Sequence, residues 1–214
     1  MQLIIANKKY SSWSMRPWVL LKHFGIAFEE QNVWLAQPDS REQILRYSPT
    51  GKVPCLIDNG IAVWDSLAIC EYLADSYPHL PLWPKSREAR AHARSVCAEM
   101  HSGFTALRTH MWMNVGAHWP GAGATPEALA DVRRIEAIWE DCLARYEGPF
   151  LFGDFTIADA FFAPVVMRFA TFEPALSAHA QAYADRIREV PAVQAWVAGG
   201  RAETVSIPYY EVRP

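Results

Sequence analysis

No stretch of this 214-residue chain holds ~18 consecutive apolar residues, so no segment is expected to span a bilayer. The N-terminus, Met1-Gln2-Leu3-Ile4-Ile5, lacks the basic flank and small-residue cleavage site of a signal peptide and reads directly as a strand. Neither charge is in excess. Twenty basic and 23 acidic residues leave a net charge of −3, which argues against a grip on nucleic acid or an anionic membrane. Cysteine is sparse: Cys55, Cys70, Cys97 and Cys142 form no C-x-x-C, which excludes a thioredoxin-type redox pair and the usual zinc spacings. Each lies in an apolar stretch, as small core residues do, and a reducing, cytoplasmic compartment suits them. Histidine builds no metal cluster either. His92, His101 and His110 follow one another at about two and a half helical turns, which sends successive rings to opposite faces. Cys97 and His101 share a face, but two ligands are too few. Arg87, Arg90 and Arg94, with Glu88 among them, read as a solvated helix face. No internal repeat is present.

What is present is apolar material, 51% of the residues, enough for two modest domains. Strand signals at 2–6 and 28–35 flank a helical pattern from Arg16 to Phe24, and a short helix fits 41–47. Val53–Ile57 and Ile61–Trp64 read as a hairpin, because Asp58-Asn59-Gly60 joins them and Asn-Gly between apolar runs is a strong turn signal. A helix follows from Ser66. Pro78, Pro81 and Pro84 then interrupt any helix and mark a linker. Beyond it the patterns are helical: roughly 86–115, 127–147, 157–172, 179–189 and 191–199, with a Gly/Ala/Pro-rich break at 116–126. The expected architecture is an α/β domain over 1–77, with a four-stranded mixed sheet, followed by an all-helical domain over 86–214.

Four constellations stand out, three of them suited to chemistry. Ser11-Ser12-Trp13-Ser14-Met15-Arg16-Pro17 opens the first helix, where serines cap and proline suits the first turn. The same helix start favours an anion, and a serine hydroxyl there can donate to a thiolate. In Gly51-Lys52-Val53-Pro54, a cis bond before Pro54 aims the Val53 backbone outward for a peptide-like ligand. Asp65-Ser66 caps the next helix; the pair also offers a carboxylate to an ammonium and donors to a carboxylate, the two ends of an α-amino acid. Phe155-Thr156-Ile157-Ala158-Asp159 is a capping-box variant with Phe155 as a hydrophobic staple, a structural element only.

In order and spacing these four motifs resemble the cytosolic glutathione S-transferases, and the resemblance covers nearly the whole chain. It implies a thioredoxin-like glutathione-binding domain at 1–77 and a helical domain at 86–214 that contributes the electrophile site. The serine run most resembles the serine-using zeta, tau and phi classes. By resemblance Ser11 contacts the glutathione sulfur, with Ser12 and Ser14 as further candidates and Arg16 supporting the local field. Val53 pairs with the cysteinyl backbone beside Pro54, Asp65 and Ser66 hold the γ-glutamyl end, and Lys52 meets the glycyl carboxylate. Trp13, His110, Met111, Trp112 and Met113 are candidate walls for a small, hydrophobic electrophile. Glutathione is the co-substrate and no metal is implied. A homodimer is implied too, and the chain itself adds only a hint, since Thr50 stands where some classes carry an aromatic interface key. Zeta enzymes have cysteine where this chain has Trp13, which weighs against maleylacetoacetate isomerisation; Asp65 replaces the more usual glutamate, one methylene longer.

The implied activity is a detoxifying or catabolic transferase reaction. A free thiol has a pKa of about 8.5, and lowering it by about two units takes roughly 2.7 kcal/mol, the order of one charge-assisted hydrogen bond plus a helix N-terminus. The rival readings are a glutathione-dependent isomerase or lyase using the same site, and a non-catalytic interaction module like those of translation factors.

Overall fold

The computed structural model describes residues 1–214. Four strands, Gln2–Ile5 (β1), Glu29–Asn32 (β2), Cys55–Asp58 (β3) and Ile61–Trp64 (β4), form one sheet in the order β2-β1-β3-β4. β1 runs parallel to β2 and antiparallel to β3, and β3 runs antiparallel to β4. Asn59 and Gly60, at φ 47° and 82°, make the two-residue turn that pairs Asp58 with Ile61. The Val53–Pro54 bond is cis, as expected. β3 begins only at Cys55, after the proline that has no N–H to give the ladder. Helices Ser12–His23 (α1), Ser40–Leu45 (α2) and Ser66–Ser76 (α3) complete this thioredoxin-like unit.

The remaining helices are Arg87–Ser102 (α4), Thr105–His110 (α5), Pro126–Tyr146 (α6), Ile157–Phe172 (α7), Ala178–Glu189 (α8) and Pro191–Ala202 (α9). The single long helix expected over 86–115 is two. Gly103 ends α4, and a Cβ there would lie 2.9 Å from the Glu99 carbonyl oxygen. Phe104 then takes a left-handed conformation, φ 62°, with its side chain buried, so the chain turns before α5 begins. After the linker no strand forms; Phe150–Gly153 and Phe152–Asp154 are isolated bridges.

The core is centred on α7, which buries every residue except Ala170. A helix apolar all round must be covered all round, and α1, α4 and α8 cover it. Its start is fixed as the sequence suggests. Thr156 caps it, and the fully buried Asp159 carboxylate accepts from the backbone N–H groups of Thr156 (2.9 Å) and Leu151 (3.1 Å) and from the Tyr183 hydroxyl (3.0 Å). Phe155 packs on His23 and Phe24 at the far end of α1. Asp159→Ala strands these donors in a dry core. We expect a loss of about 3 kcal/mol or more in urea unfolding, with the spectrum of the folded state unchanged.

Candidate functional site

The start of α1 presents two of its three serines to a cleft of about 440 Å³ between the sheet domain and the helical domain. Ser11 and Ser12 line it; Ser14 does not. Ser11 is the N-cap. Its oxygen accepts from the Ser14 N–H, and its hydroxyl donates to Ser14 Oγ at 2.8 Å. Ser14, wholly buried, also accepts from the Ala6 N–H at 3.3 Å, which ties α1 to the end of β1. Ser14 therefore supports Ser11 from behind. The Ser12 hydroxyl oxygen accepts from Arg168 Nη2 at 3.0 Å, which leaves its own proton free to donate.

Three arginines surround this point, and none spends a hydrogen bond on a carboxylate. Arg168, on α7, bonds Ser12 and the Met111 carbonyl. Arg16, on α1, bonds Ser66 Oγ at 3.2 Å, leaves its Nε without a partner, and lies between the faces of Trp13 and Phe161. Arg108, on α5, bonds the carbonyls of Gly103 and Met100 and lies over the Trp13 ring at 4.7 Å from its centroid. Burial first, then the charge of Arg108, pushes the guanidinium groups of Arg16 and Arg168 down to about 9, so both remain cationic at neutral pH. Arg108 and Arg168 line the cleft.

Lys52 and Val53 form another part of the lining, with Gly51 at φ 65° where a Cβ would meet Arg41 at 2.9 Å. Pro54, Asp65 and Ser66 are not part of the cleft lining. Asp65 is itself the cap of α3: Oδ1 accepts from the N–H groups of Leu67 (2.8 Å) and Ala68 (3.3 Å), at a backbone φ of 76° unusual for a non-glycine residue. Its Oδ2 meets His101 Nε2 at 3.1 Å, across from α4. Arg16 faces the other ring nitrogen, Nδ1, at 3.5 Å. Arginine has only donors, so Nδ1 accepts and the imidazole proton sits on Nε2, aimed at Asp65. Burial lowers the His101 pKa and Asp65 opposes it, while Arg16 and Arg108 lower it further. The net direction favours the neutral ring.

Trp13, Trp112 and Met113 line the cleft as expected, whereas His110 lies outside it. Three residues that sequence reasoning did not assign also line the cleft, Arg108, Arg168 and Tyr210, while His101, likewise unassigned, pairs with Asp65 outside the lining. Arg168 sits in the apolar run 157–172, and a lone cation in such a stretch was the available signal. His101 and Tyr210 gave none. A larger groove, about 1010 Å³, lies among α7, α8 and α9 but contains no serine, and several of its charges pair with one another, as His118–Glu173 and Asp185–Arg188 do.

Two family descriptions match the chain: the N-terminal domain of glutathione S-transferases over residues 10–76 and the C-terminal domain over 122–199, together well over half its length. The "Probable maleylacetoacetate isomerase" of Caenorhabditis elegans is 29% identical over 160 residues, 72% of each chain. The "Glutathione S-transferase Z2" of Arabidopsis thaliana is 29% identical over 170 residues, 74% of each. A glutathione transferase homolog from Burkholderia, solved with bound glutathione, superposes with a TM-score of 0.74 at 26% identity, covering 94% of this chain and 98% of that one.

All four thiols are buried and free, and burial raises the pKa of each. A thiolate is the reacting species, so a disulfide reagent at neutral pH should label none of the four in the native protein and all four after denaturation. A thiol titrating rapidly in the native state would contradict the assignment of all four as inert core residues.

Proposed function

Because the chain belongs to the glutathione S-transferase family, we propose that its cleft binds glutathione, activates the thiol as thiolate, and directs it at a small electrophile carrying a carboxylate. The observation that carries this reading is the convergence of two serine hydroxyls and cationic arginines on one cleft beside the cis Val53–Pro54 bond. A thiolate placed there receives hydroxyl donors and a field of uncompensated positive charge, and both lower a thiol pKa. The thiol proton leaves to solvent, sulfur attacks the electrophilic carbon, and the leaving group departs.

Ser11 is the principal sulfur contact: its proton turns from Ser14 to the sulfur, and Ser12, polarised by Arg168, is the second donor. Val53, Pro54, Lys52, Asp65 and Ser66 hold the peptide. Asp65 receives the γ-glutamyl ammonium, with His101 fixing the orientation of its carboxylate. Trp13, Trp112 and Met113 take the apolar part of the second substrate, while Arg108 and Arg168 receive its anionic group. The same pair of arginines favours a second reading, in which the thiolate adds to a cis carbon–carbon double bond of an unsaturated acid. Rotation about the resulting single bond and expulsion of the thiolate would then complete an isomerisation, regenerating glutathione. Trp13 in place of the cysteine of zeta enzymes argues for the transferase. Consumption of glutathione in proportion to product distinguishes the two.

We place the enzyme in the cytoplasm, where four unpaired thiols are at home, in a detoxifying or catabolic role. We also propose a homodimer. Its support is the outer strand β4, where Ile61 and Trp64 are exposed.

Ser11→Ala should raise the pKa of bound glutathione and lower kcat at neutral pH by tens-fold, on the order of 2 kcal/mol, with glutathione affinity little changed. Part of the defect should recover at high pH, where the thiol ionises unaided. Ser12→Ala should act in the same direction, Ser14→Ala should reduce folding stability instead, and Ser66→Ala should weaken glutathione binding first. An unaltered pH–rate profile in both Ser11→Ala and Ser12→Ala would remove the serines from the chemistry. Sedimentation at micromolar concentration should give twice the mass of one chain; a monomer alone would contradict the dimer.

A further inference from the structure

The family description ends at residue 199, yet the chain continues back to the cleft. After α9, the Glu203 carboxylate accepts from the backbone N–H groups of Lys8 (2.6 Å) and Lys9 (3.1 Å), on the loop that leads into α1. Ile207 is buried, its N–H donating to the Tyr10 hydroxyl oxygen at 3.3 Å, and the 3-10 turn Pro208–Glu211 follows. The Tyr210 carbonyl accepts from Asn114 Nδ2 (2.9 Å) and Trp112 Nε1 (3.3 Å). Its ring stacks on Tyr10 with centroids 5.4 Å apart and lines the cleft together with Ser11, Ser12, Trp112 and Arg168. Glu211 closes the connection: it pairs with Lys9 Nζ at 2.7 Å and accepts from the Tyr10 hydroxyl.

Tyr10 immediately precedes Ser11, so the carboxylate that anchors this segment is bound to the loop that carries the serines. Burial pushes the Glu211 carboxyl up, but the hydrogen bonds from Lys9 and Tyr10 outweigh it and hold it below its usual value. Lys9 is moved the other way, raised by Glu211 and Tyr10 against the effect of burial. The pair is charged at neutral pH. An aromatic ring held at the cleft by backbone, side-chain and ionic contacts adds apolar surface for a ligand at little ordering cost.

We propose that Tyr210 is a specificity-determining wall of the second-substrate site, packing on the apolar part of the electrophile, and that Glu211 is the positioning residue that holds it there. The proposal rests on the glutathione reading, and S-alkyl glutathiones test the two separately. S-methylglutathione probes the peptide subsites alone; S-hexylglutathione adds a chain that extends into the second-substrate region. Calorimetry on the wild-type protein should show S-hexylglutathione binding the more tightly. In Tyr210→Ala that preference should fall about fivefold while affinity for S-methylglutathione is kept, and Tyr210→Phe should retain it.

Glu211→Ala touches no ligand in this scheme, yet it should lose at least half of the same preference on a logarithmic scale. Lys9→Met combined with Glu211→Ala should do no more than Glu211→Ala alone, since both break one connection. S-methylglutathione affinity is the internal control for folding. A wild-type preference preserved in Tyr210→Ala overturns the wall, and one preserved only in Glu211→Ala overturns the positioning role. Failure of the wild type to bind S-methylglutathione at all would overturn the glutathione reading, and this proposal with it.

Discussion

The packing of α1 against α7 is the contact on which the site depends. α1 follows β1 directly and brings the serine run with it, while α7 is the buried axis of the helical domain. The two meet through Ser12 and Arg168, and through Arg16 against the face of Phe161. Neither domain alone holds the cleft. The sheet domain supplies the hydroxyls, and the helical domain supplies the charge that polarises one of them. This is why so much structure is spent on the start of α7. The Asp159 carboxylate gathers Thr156, Leu151 and Tyr183, which fixes where the helix begins and hence where Arg168 stands nine residues later. A shift of one residue in that start would rotate Arg168 by about 100° and remove it from Ser12.

Buried cations without carboxylates are costly, and the fold offsets that cost only in part. Arg16 is held by ring faces, a hydroxyl and an imidazole, and its Nε has no partner. Arg168 has a carbonyl and a hydroxyl. Charge burial of this kind carries a penalty of several kcal/mol per ion, and a hydrophobic replacement is often more stable. What such a replacement lacks is attraction for an anion. A thiolate and a carboxylate in the cleft would supply the opposite charge that the protein itself withholds, so a feature unfavourable to folding is favourable to binding and to thiol ionisation.

The elements were legible wherever local chemistry decides them. Asn59-Gly60 gave the hairpin, the three prolines gave the linker, and Thr156–Asp159 gave the start of α7 to the residue. The one long helix expected over 86–115 is two because the apolar pattern continues through Gly103 while the chain does not; the break comes from the left-handed Phe104, whose ring the core takes in, and that is a tertiary preference. At the site, the serines, Val53–Pro54 and Asp65-Ser66 were legible as helix starts and a proline turn. Ser14 looked equivalent to Ser11 because sequence spacing cannot tell a hydroxyl that faces the cleft from one that faces β1. Arg108, His101 and Tyr210 come from three distant segments, and only folding brings them to the serines.

The near-balance of charge over the whole chain conceals the local imbalance that matters. A net charge of −3 disfavours long-range attraction to polyanions. The ion pairs that produce the balance lie largely on the surface, as Arg94–Glu71, Arg134–Glu99 and Arg145–Asp141 do, within a solvent that screens them over about 8 Å. Arg16 and Arg168 are buried away from that screening, with the half-buried Arg108 beside them, and they keep more of their field. His101, beside two of them, is driven toward its neutral form and adds no further charge; its proton goes to Asp65 instead. The result is a division of charge: positive charge faces the cleft beside the serines, and the carboxylate of Asp65 lies outside the cleft lining, where it caps α3 and pairs with His101. In the proposed binding mode the thiol of glutathione meets the first and its γ-glutamyl ammonium the second.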